Sequence, residues 1–383
     1  MHVEIVPGVG WQGRQITAVM ILRDGSLSED SVVFPPTFYL LQLAKTAPIN
    51  TQKAIGADLK RLFENLEQAE IPWDHLNDDQ MSGYIESTLL AKYNLSKRSI
   101  SRHCSSIQGM YMHLSQAGFC ERQFNFSFSY RDKHGVQECG LTRPSNSFKL
   151  KKKYINAPLL DTLLEHASET PGFLRARNEL ILELGHKLGL RTFEVTHERN
   201  LRVSDFKSVL SLNKKSNRLS CSTTIFGKGS KYRDVNIHPE LLESIFRFIR
   251  EFRKNVPGDN LICAENGSTL SPSFASRLFK QVRNCALPKL KTKLKELHLL
   301  DDAPYTVSWP SVKALTFHCL RHTYATNLVT YCEENQIDPR SYLPDQLGHT
   351  KFQTTMQYIN CQAAIHNRDK GRSRFSVEEP DYA

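Results

Sequence analysis

The sequence predicts a mostly α-helical chain with a small antiparallel β-sheet, an α+β protein. Long stretches place apolar residues at three- and four-residue spacing, as amphipathic helices require. Between 209 and 237 that spacing gives way to short β-like runs separated by polar and glycine-rich turns. The first 34 residues alternate weakly in the manner of short strands. At 383 residues the chain has room for two or three domains, each with its own core.

Residues 1–34 carry the alternating set Val3, Ile5, Ile16, Ala18, Met20 and Leu22 among four glycines, and read as a β-like N-terminal extension. Residues 35–120 read as a helical domain. Its clearest helix is capped by Ser96 and places Ile100, Cys104, Ile107, Tyr111 and Leu114 on one face. Ile55, Leu59, Leu62, Phe63 and Leu66 mark a second helix, and Met81, Tyr84, Ile85, Leu89 and Leu90 a third. Residues 121–153 show no sustained period and read as an extended basic linker ending in Lys149, Lys151, Lys152 and Lys153. A second domain spans 154–360. It opens with Leu159, Leu160, Leu163 and Leu164, and then a long helix that Thr170-Pro171 begins, with proline at its first position. Three β-like runs follow (209–212, 219–226, 232–237), and then helices broken by a polar insert around 285–314. Residues 361–383 form a short polar tail.

Forty per cent of the residues are hydrophobic and 23% charged, which excludes a mostly disordered or collagen-like chain. No apolar run reaches membrane-spanning length, and nine scattered cysteines contain no C-x-x-C pair. A cytoplasmic protein without a disulfide framework is expected. The net charge is +10 and unevenly spread. Residues 1–120 hold 10 basic and 12 acidic side chains, 121–235 hold 21 and 12, and 236–383 hold 19 and 16. The basic middle suits a polyanion such as DNA.

Chemistry-bearing residues fall in a fixed order. Leu188-Gly189-Leu190-Arg191 is followed by Glu194; Lys228 sits between two glycines at the tip of the hairpin. His318 and Arg321 stand three apart in His318-Cys319-Leu320-Arg321, on one helix face. Leu347-Gly348-His349 precedes Tyr358 by nine residues from histidine to tyrosine. Singly these are weak signals, but the order arginine, hairpin lysine, H-x-x-R, L-G-H, tyrosine resembles the tyrosine recombinase (phage integrase) family. The resemblance covers about 36–360 and is strongest over 174–236 and 315–359. It implies a helical core-binding domain followed by a tyrosine-recombinase catalytic domain, preceded here by the β-rich extension. It also implies a site-specific recombinase that breaks DNA through a 3′-phosphotyrosine, acting on a mobile element. Relatives that relax DNA or resolve hairpin telomeres use similar residues; a non-catalytic DNA-binding relative and a basic interaction protein are the remaining alternatives.

The resemblance assigns Tyr358 as nucleophile and Arg191, Lys228, His318, Arg321 and His349 as its catalytic partners, with Glu194 supporting the first arginine. The chemistry needs such groups. A phenol of pKa about 10 is scarcely ionised at pH 7, and the charge gathering on phosphorus oxygens calls for planar, permanently charged guanidinium groups. Histidines can donate to the same oxygens, and His318 can also exchange the tyrosine proton. Lys228 is the expected acid for the leaving 5′ hydroxyl. His322 follows Arg321 but is read as pointing to another face, without a role. No metal, nucleotide or other cofactor is expected. Double-stranded DNA is the expected partner, gripped between the two domains by Lys97, Arg98, Arg102, Lys149, Lys151, Lys152, Lys153, Lys214, Lys215, Lys231 and Arg233. The family further implies a homo-tetramer on paired sites, a monomer without DNA, a tail that docks on a neighbouring subunit, and room for accessory proteins.

Overall fold

The computed structural model describes residues 1–120, 124, 126–132, 135–138, 150–207, 209, 221–227, 229, 231–299, 307–349 and 351–375, with backbone alone at 138, 298–299 and 364–375. It divides into two units, Met1–Pro144 and Ser145–Ala383. Both are built mainly of helices, and the described residues add three two-stranded antiparallel sheets.

In the first unit, β1 (His2–Trp11) pairs with β2 (Arg14–Leu22) in register from His2↔Leu22 to Trp11↔Arg14, with an irregularity between Val6 and Val9. The hairpin is sewn onto α1 (Phe34–Leu43) and α2 (Ile49–Gln68). Val19 and Ile21 are fully buried in the helical core. Their backbone N–H groups donate to Gln52 Oε1 (3.1 Å) and Thr37 Oγ1 (3.0 Å). α3 (Asp78–Gly83) runs into a π-helical segment, Tyr84–Lys92. α4 (Lys97–Gln116) starts where the sequence indicates, with Ser96 Oγ accepting from the Ser99 amide at 3.2 Å, and it buries the whole Ile100-to-Leu114 stripe.

Part of the expected linker is core instead. Phe124, Phe126, Phe128 and Tyr130 are each at most 8% exposed. The Phe124 and Phe126 rings lie 4.6 and 5.2 Å from that of Tyr111. Ser129–Asp132 (β3) and Gly135–Glu138 (β4) then form a second hairpin. The four aromatics alternate strictly with polar residues, a short period-two signal that was available in the sequence.

The second unit begins with α5 (Ala157–Leu164), capped by Asn156. The next helix, α6 (Phe173–Lys187), starts beyond Gly172 rather than at Pro171. A short α7 (Thr192–Thr196) follows the turn at Gly189. β5 (Cys221–Phe226) and β6 (Tyr232–Ile237) pair from Cys221↔Ile237 to Phe226↔Tyr232. Val209, expected to open the first strand (209–212), is helical instead; the rest of that run and its turn lie outside the described residues. α8 (Pro239–Glu251) leads to α9 (Phe274–Leu299), whose second half occupies much of the expected polar insert. Its Val282, Ala286, Leu290, Leu294 and Leu297 are buried at helical spacing, although Pro288 and a run of lysines hide the pattern. After α10 (Trp309–Lys313), α11 (Phe317–Glu334) packs across α6. A smaller core of Ala325, Val329, Leu343, Leu347, Tyr358 and Cys361 joins α11 to α12 (Pro339–Leu347) and α13 (Phe352–Phe375).

Candidate active site

Arg321 projects from the first turns of α11 into the interior of the second unit and is 1% exposed. Its Nη1 donates to the Gly189 carbonyl at 2.5 Å, and its Nη2 to the Leu347 carbonyl. One buried guanidinium thus fastens the turn before Arg191 to the end of α12 before His349. Glycine is required at both fastened turns. Gly189 has φ +65°, and a Cβ there would overlap the Tyr324 ring; Gly348 ends α12 at φ +63°, and a Cβ would press on Arg233 Cδ at 3.1 Å.

Glu194, fully buried, gathers the guanidinium groups. It accepts from Arg191 Nη1 (2.7 Å) and from the Arg191 amide (2.9 Å). Arg233 donates to both carboxylate oxygens at 2.8 Å, and Arg321 Nη1 lies 3.8 Å away. Burial pushes the carboxyl pKa up. The hydrogen bonds and charge of Arg233, with Arg321 and the Arg191 amide, pull harder the other way and leave it at about 2. Three arginines against one carboxylate leave an excess of positive charge, and Arg191 keeps an exposed edge (29%) toward solvent. Such a pocket favours an anion.

The histidines and the tyrosine border this charge. Tyr358, 4% exposed, is stacked on His349 with ring centroids 5.6 Å apart and planes at 9°. His349 Nδ1 is 3.2 Å from Thr355 Oγ1. Burial raises the Tyr358 pKa above its usual value, while the Arg321 and Arg191 charges oppose that rise. His318 keeps an exposed edge, yet the protein around it and then Arg321, Arg191 and Lys153 lower its pKa to about 4. His349 is lowered to about 3 by burial and by Arg321, Arg191 and Arg233. Both imidazoles are neutral at pH 7.

His322 corrects the sequence reading. Four residues after His318 it returns to the same face of α11, with ring centroids 4.5 Å apart, and its Nδ1 lies 2.9 Å from Tyr358 Oη. The i, i+4 spacing was the available signal.

The structure thus brings together Arg191, Glu194, His318, Arg321, His349 and Tyr358. Lys228 lies outside the described residues; of its neighbours, the Gly227 amide donates to the Lys231 carbonyl at 2.8 Å. The cations expected on DNA divide. Arg233 is corrected: its guanidinium is 8% exposed and committed to Glu194 and to the Gln346 carbonyl (3.0 Å), so it does not reach outward. Arg102 pairs with the buried Asp58 at 2.7 Å, although its side chain stays about half exposed. Lys97 pairs with Asp132 at 2.8 Å. Arg98, Lys152, Lys153 and Lys231 are exposed and Lys151 is half-buried; Lys149, Lys214 and Lys215 lie outside the described residues. No group of metal-ligating side chains occurs among the described residues, nor any helix long and apolar enough to cross a membrane.

Comparison with known proteins identifies the family of the chain. Residues 153–364 match the phage integrase family, and 39–118 match the phage integrase N-terminal SAM-like domain. The chain is 24% identical over 334 residues to the tyrosine recombinase XerD of Oceanobacillus iheyensis, covering 85% of this chain and 93% of that protein. Among solved structures it is similar to the XerH site-specific recombinase bound to a palindromic difH substrate in a post-cleavage complex (TM-score 0.56, 18% identity, 87% of this chain and 82% of that one). It is also similar to a lambda integrase dimer bound to a COC′ core site (TM-score 0.54, 14% identity, 85% and 75%). With more than half its length matched by the family, the chain belongs to the phage integrase family, the tyrosine recombinases.

Proposed function

We propose that this protein is a site-specific DNA recombinase that cuts and rejoins duplex DNA through a 3′-phosphotyrosine on Tyr358. The observation that carries the reading is the convergence of Arg191, Arg321, their shared Glu194 and the His349-stacked Tyr358 on one positively charged pocket.

A scissile phosphodiester enters as the missing anion. Arg191 and Arg321 hold its non-bridging oxygens, and each contributes about 3–4 kcal/mol to the transition state, as preorganised oxyanion donors do elsewhere. His318 and His349, neutral at pH 7, donate ring N–H groups to the same oxygens. Glu194 orients Arg191, and Arg233 holds Glu194. Oη of Tyr358 bonds to phosphorus as the P–O5′ bond breaks, and Lys228 protonates the departing 5′ oxygen. The phosphotyrosyl link conserves the energy of the broken phosphodiester, so a 5′ hydroxyl from a partner strand reseals it without ATP. The guanidinium charge fills the role that a divalent ion has in two-metal nucleases, so cleavage proceeds after exhaustive chelation. The protein acts as a tetramer on two sites and serves a mobile element, by integration or excision.

The test is covalent capture. Complexes trapped on host genomic DNA locate the site; a nicked duplex carrying it then traps the enzyme by losing its short 5′-hydroxyl strand. Wild-type protein is expected to become covalently linked and Tyr358→Phe is not. Equal trapping by the variant removes Tyr358 as nucleophile. Relaxation of a single plasmid without exchange between two sites would replace the recombinase with a relaxing enzyme.

A further inference from the structure

From the contact between His322 and the tyrosine hydroxyl, we infer that His322 is a catalytic residue that accepts the Tyr358 proton during cleavage and returns it during resealing. The inference rests on the reading of Tyr358 as nucleophile and adds a residue to that site.

A buried phenol must lose its proton as it attacks, and the acceptor must lie within hydrogen-bond reach. His322 Nδ1 meets that requirement at 2.9 Å from Oη. His349 offers Tyr358 its ring face, and its Nδ1 is occupied by Thr355, so it presents no acceptor along that direction. His318 stands edge-to-face behind His322, with centroids 4.5 Å apart, and supports its orientation. The acceptor must also be unprotonated beforehand. Burial and the facing groups His318, Lys153, Arg321 and His349 lower the His322 pKa to about 3, so the ring is neutral at pH 7. The phenol, its pKa raised by burial, is the donor.

The step balances. Oη forms the bond to phosphorus as its proton passes to Nδ1, giving an imidazolium, and the P–O5′ bond breaks with Lys228 supplying the proton to O5′. In resealing, the incoming 5′ hydroxyl gives its proton to Lys228, and Nδ1–H returns its proton to the departing phenolate. The imidazolium forms beside a phosphorane that carries extra negative charge. That charge offsets the arginines that disfavour a protonated ring in the free protein.

The experiment is single-turnover trapping on the nicked duplex mapped with wild-type protein, using His322→Ala, His322→Asn and Tyr358→Phe. His322→Ala is expected to bind the duplex with wild-type affinity, to trap at least 100-fold more slowly, and to recover at least tenfold when free imidazole base is added. His322→Asn keeps a hydrogen-bond partner for the phenol without a basic nitrogen, so it should be as slow and gain nothing from imidazole. Trapping by either variant within threefold of wild type overturns the inference, as does a folded, DNA-bound His322→Ala that ignores imidazole. Should the alanine variant fail to fold, His322→Asn decides alone. Wild-type trapping by Tyr358→Phe would instead refute the nucleophile, a separate failure.

Discussion

Glu194 is a fully buried carboxylate shared among three guanidinium groups, and its negative charge offsets part of theirs. Replacing it with glutamine leaves Arg233 and Arg321 buried without a counter-charge; breaking such a pair costs about 3–5 kcal/mol. Urea denaturation of Glu194→Gln should show that loss, with trapping reduced as well. Acid acts on the same cluster in two windows. His318, His322 and His349 have folded-state pKa values below the unfolded value near 6.5, so the unfolded chain binds more protons and stability falls as pH drops below about 6.5. For His322 alone the loss reaches up to about 2 kcal/mol at pH 5. Glu194, depressed to about 2, contributes stability that is complete above its unfolded value near 4.5 and is lost as pH falls through 2. Melting temperature measured from pH 7.5 to 4 should therefore decline below 6.5; a flat curve to pH 5 would contradict histidines held neutral in the folded state. The sequence revealed the order Arg191, His318, Arg321, His349, Tyr358 because each sits in a short local motif. It did not reveal that Arg233 faces Glu194 rather than solvent, since that pairing spans 39 residues and depends on how β6 meets α7.

Turns more than helices place the reactive groups. The Gly189 turn presents a carbonyl to Arg321 and leads directly into Arg191, while Gly348 ends α12 so that His349 can lie along Tyr358. Gly189→Ala combines a left-handed φ with overlap on Tyr324, and should cost at least about 2 kcal/mol by denaturation and slow trapping as Arg191 shifts. In the first unit, Phe126→Ala removes a ring packed on Tyr111 and should destabilise by about 3–5 kcal/mol, whereas an alanine in a true linker would cost almost nothing. Elements with one dominant period were legible from residues alone: α4 from its Ser96 cap and apolar stripe, and β5–β6 from two runs around a glycine turn. The buried aromatics Phe124, Phe126, Phe128 and Tyr130 and the second half of α9 were not. The aromatic alternation is short and lies beside stretches without a period, and in α9 Pro288 among lysines argued against a pattern that tertiary burial rewards.

The chain folds as two units, each with its own core, and exposed cations should account for much of the proposed grip on DNA. Lys152, Lys153 and Lys231 are exposed; if they meet phosphates as proposed, alanine at each should lower the dependence of log affinity on log salt by about 1 and weaken binding alike on all sequences. Arg233→Ala should leave that slope unchanged while costing stability, because its charge is spent inside the protein. Wild-type affinity should fall steeply between low and high salt. Under the proposed reading Lys153 would couple grip to chemistry, since its charge helps to lower the pKa of both His318 and His322. The measurement that bears most directly on the whole account is mass spectrometry of the trapped complex after protease and nuclease digestion. It should find a nucleotide joined through its 3′ phosphate to the peptide containing Tyr358, and the released strand should end in a 5′ hydroxyl. A 5′-phosphate linkage, or attachment at any other residue, would contradict the account.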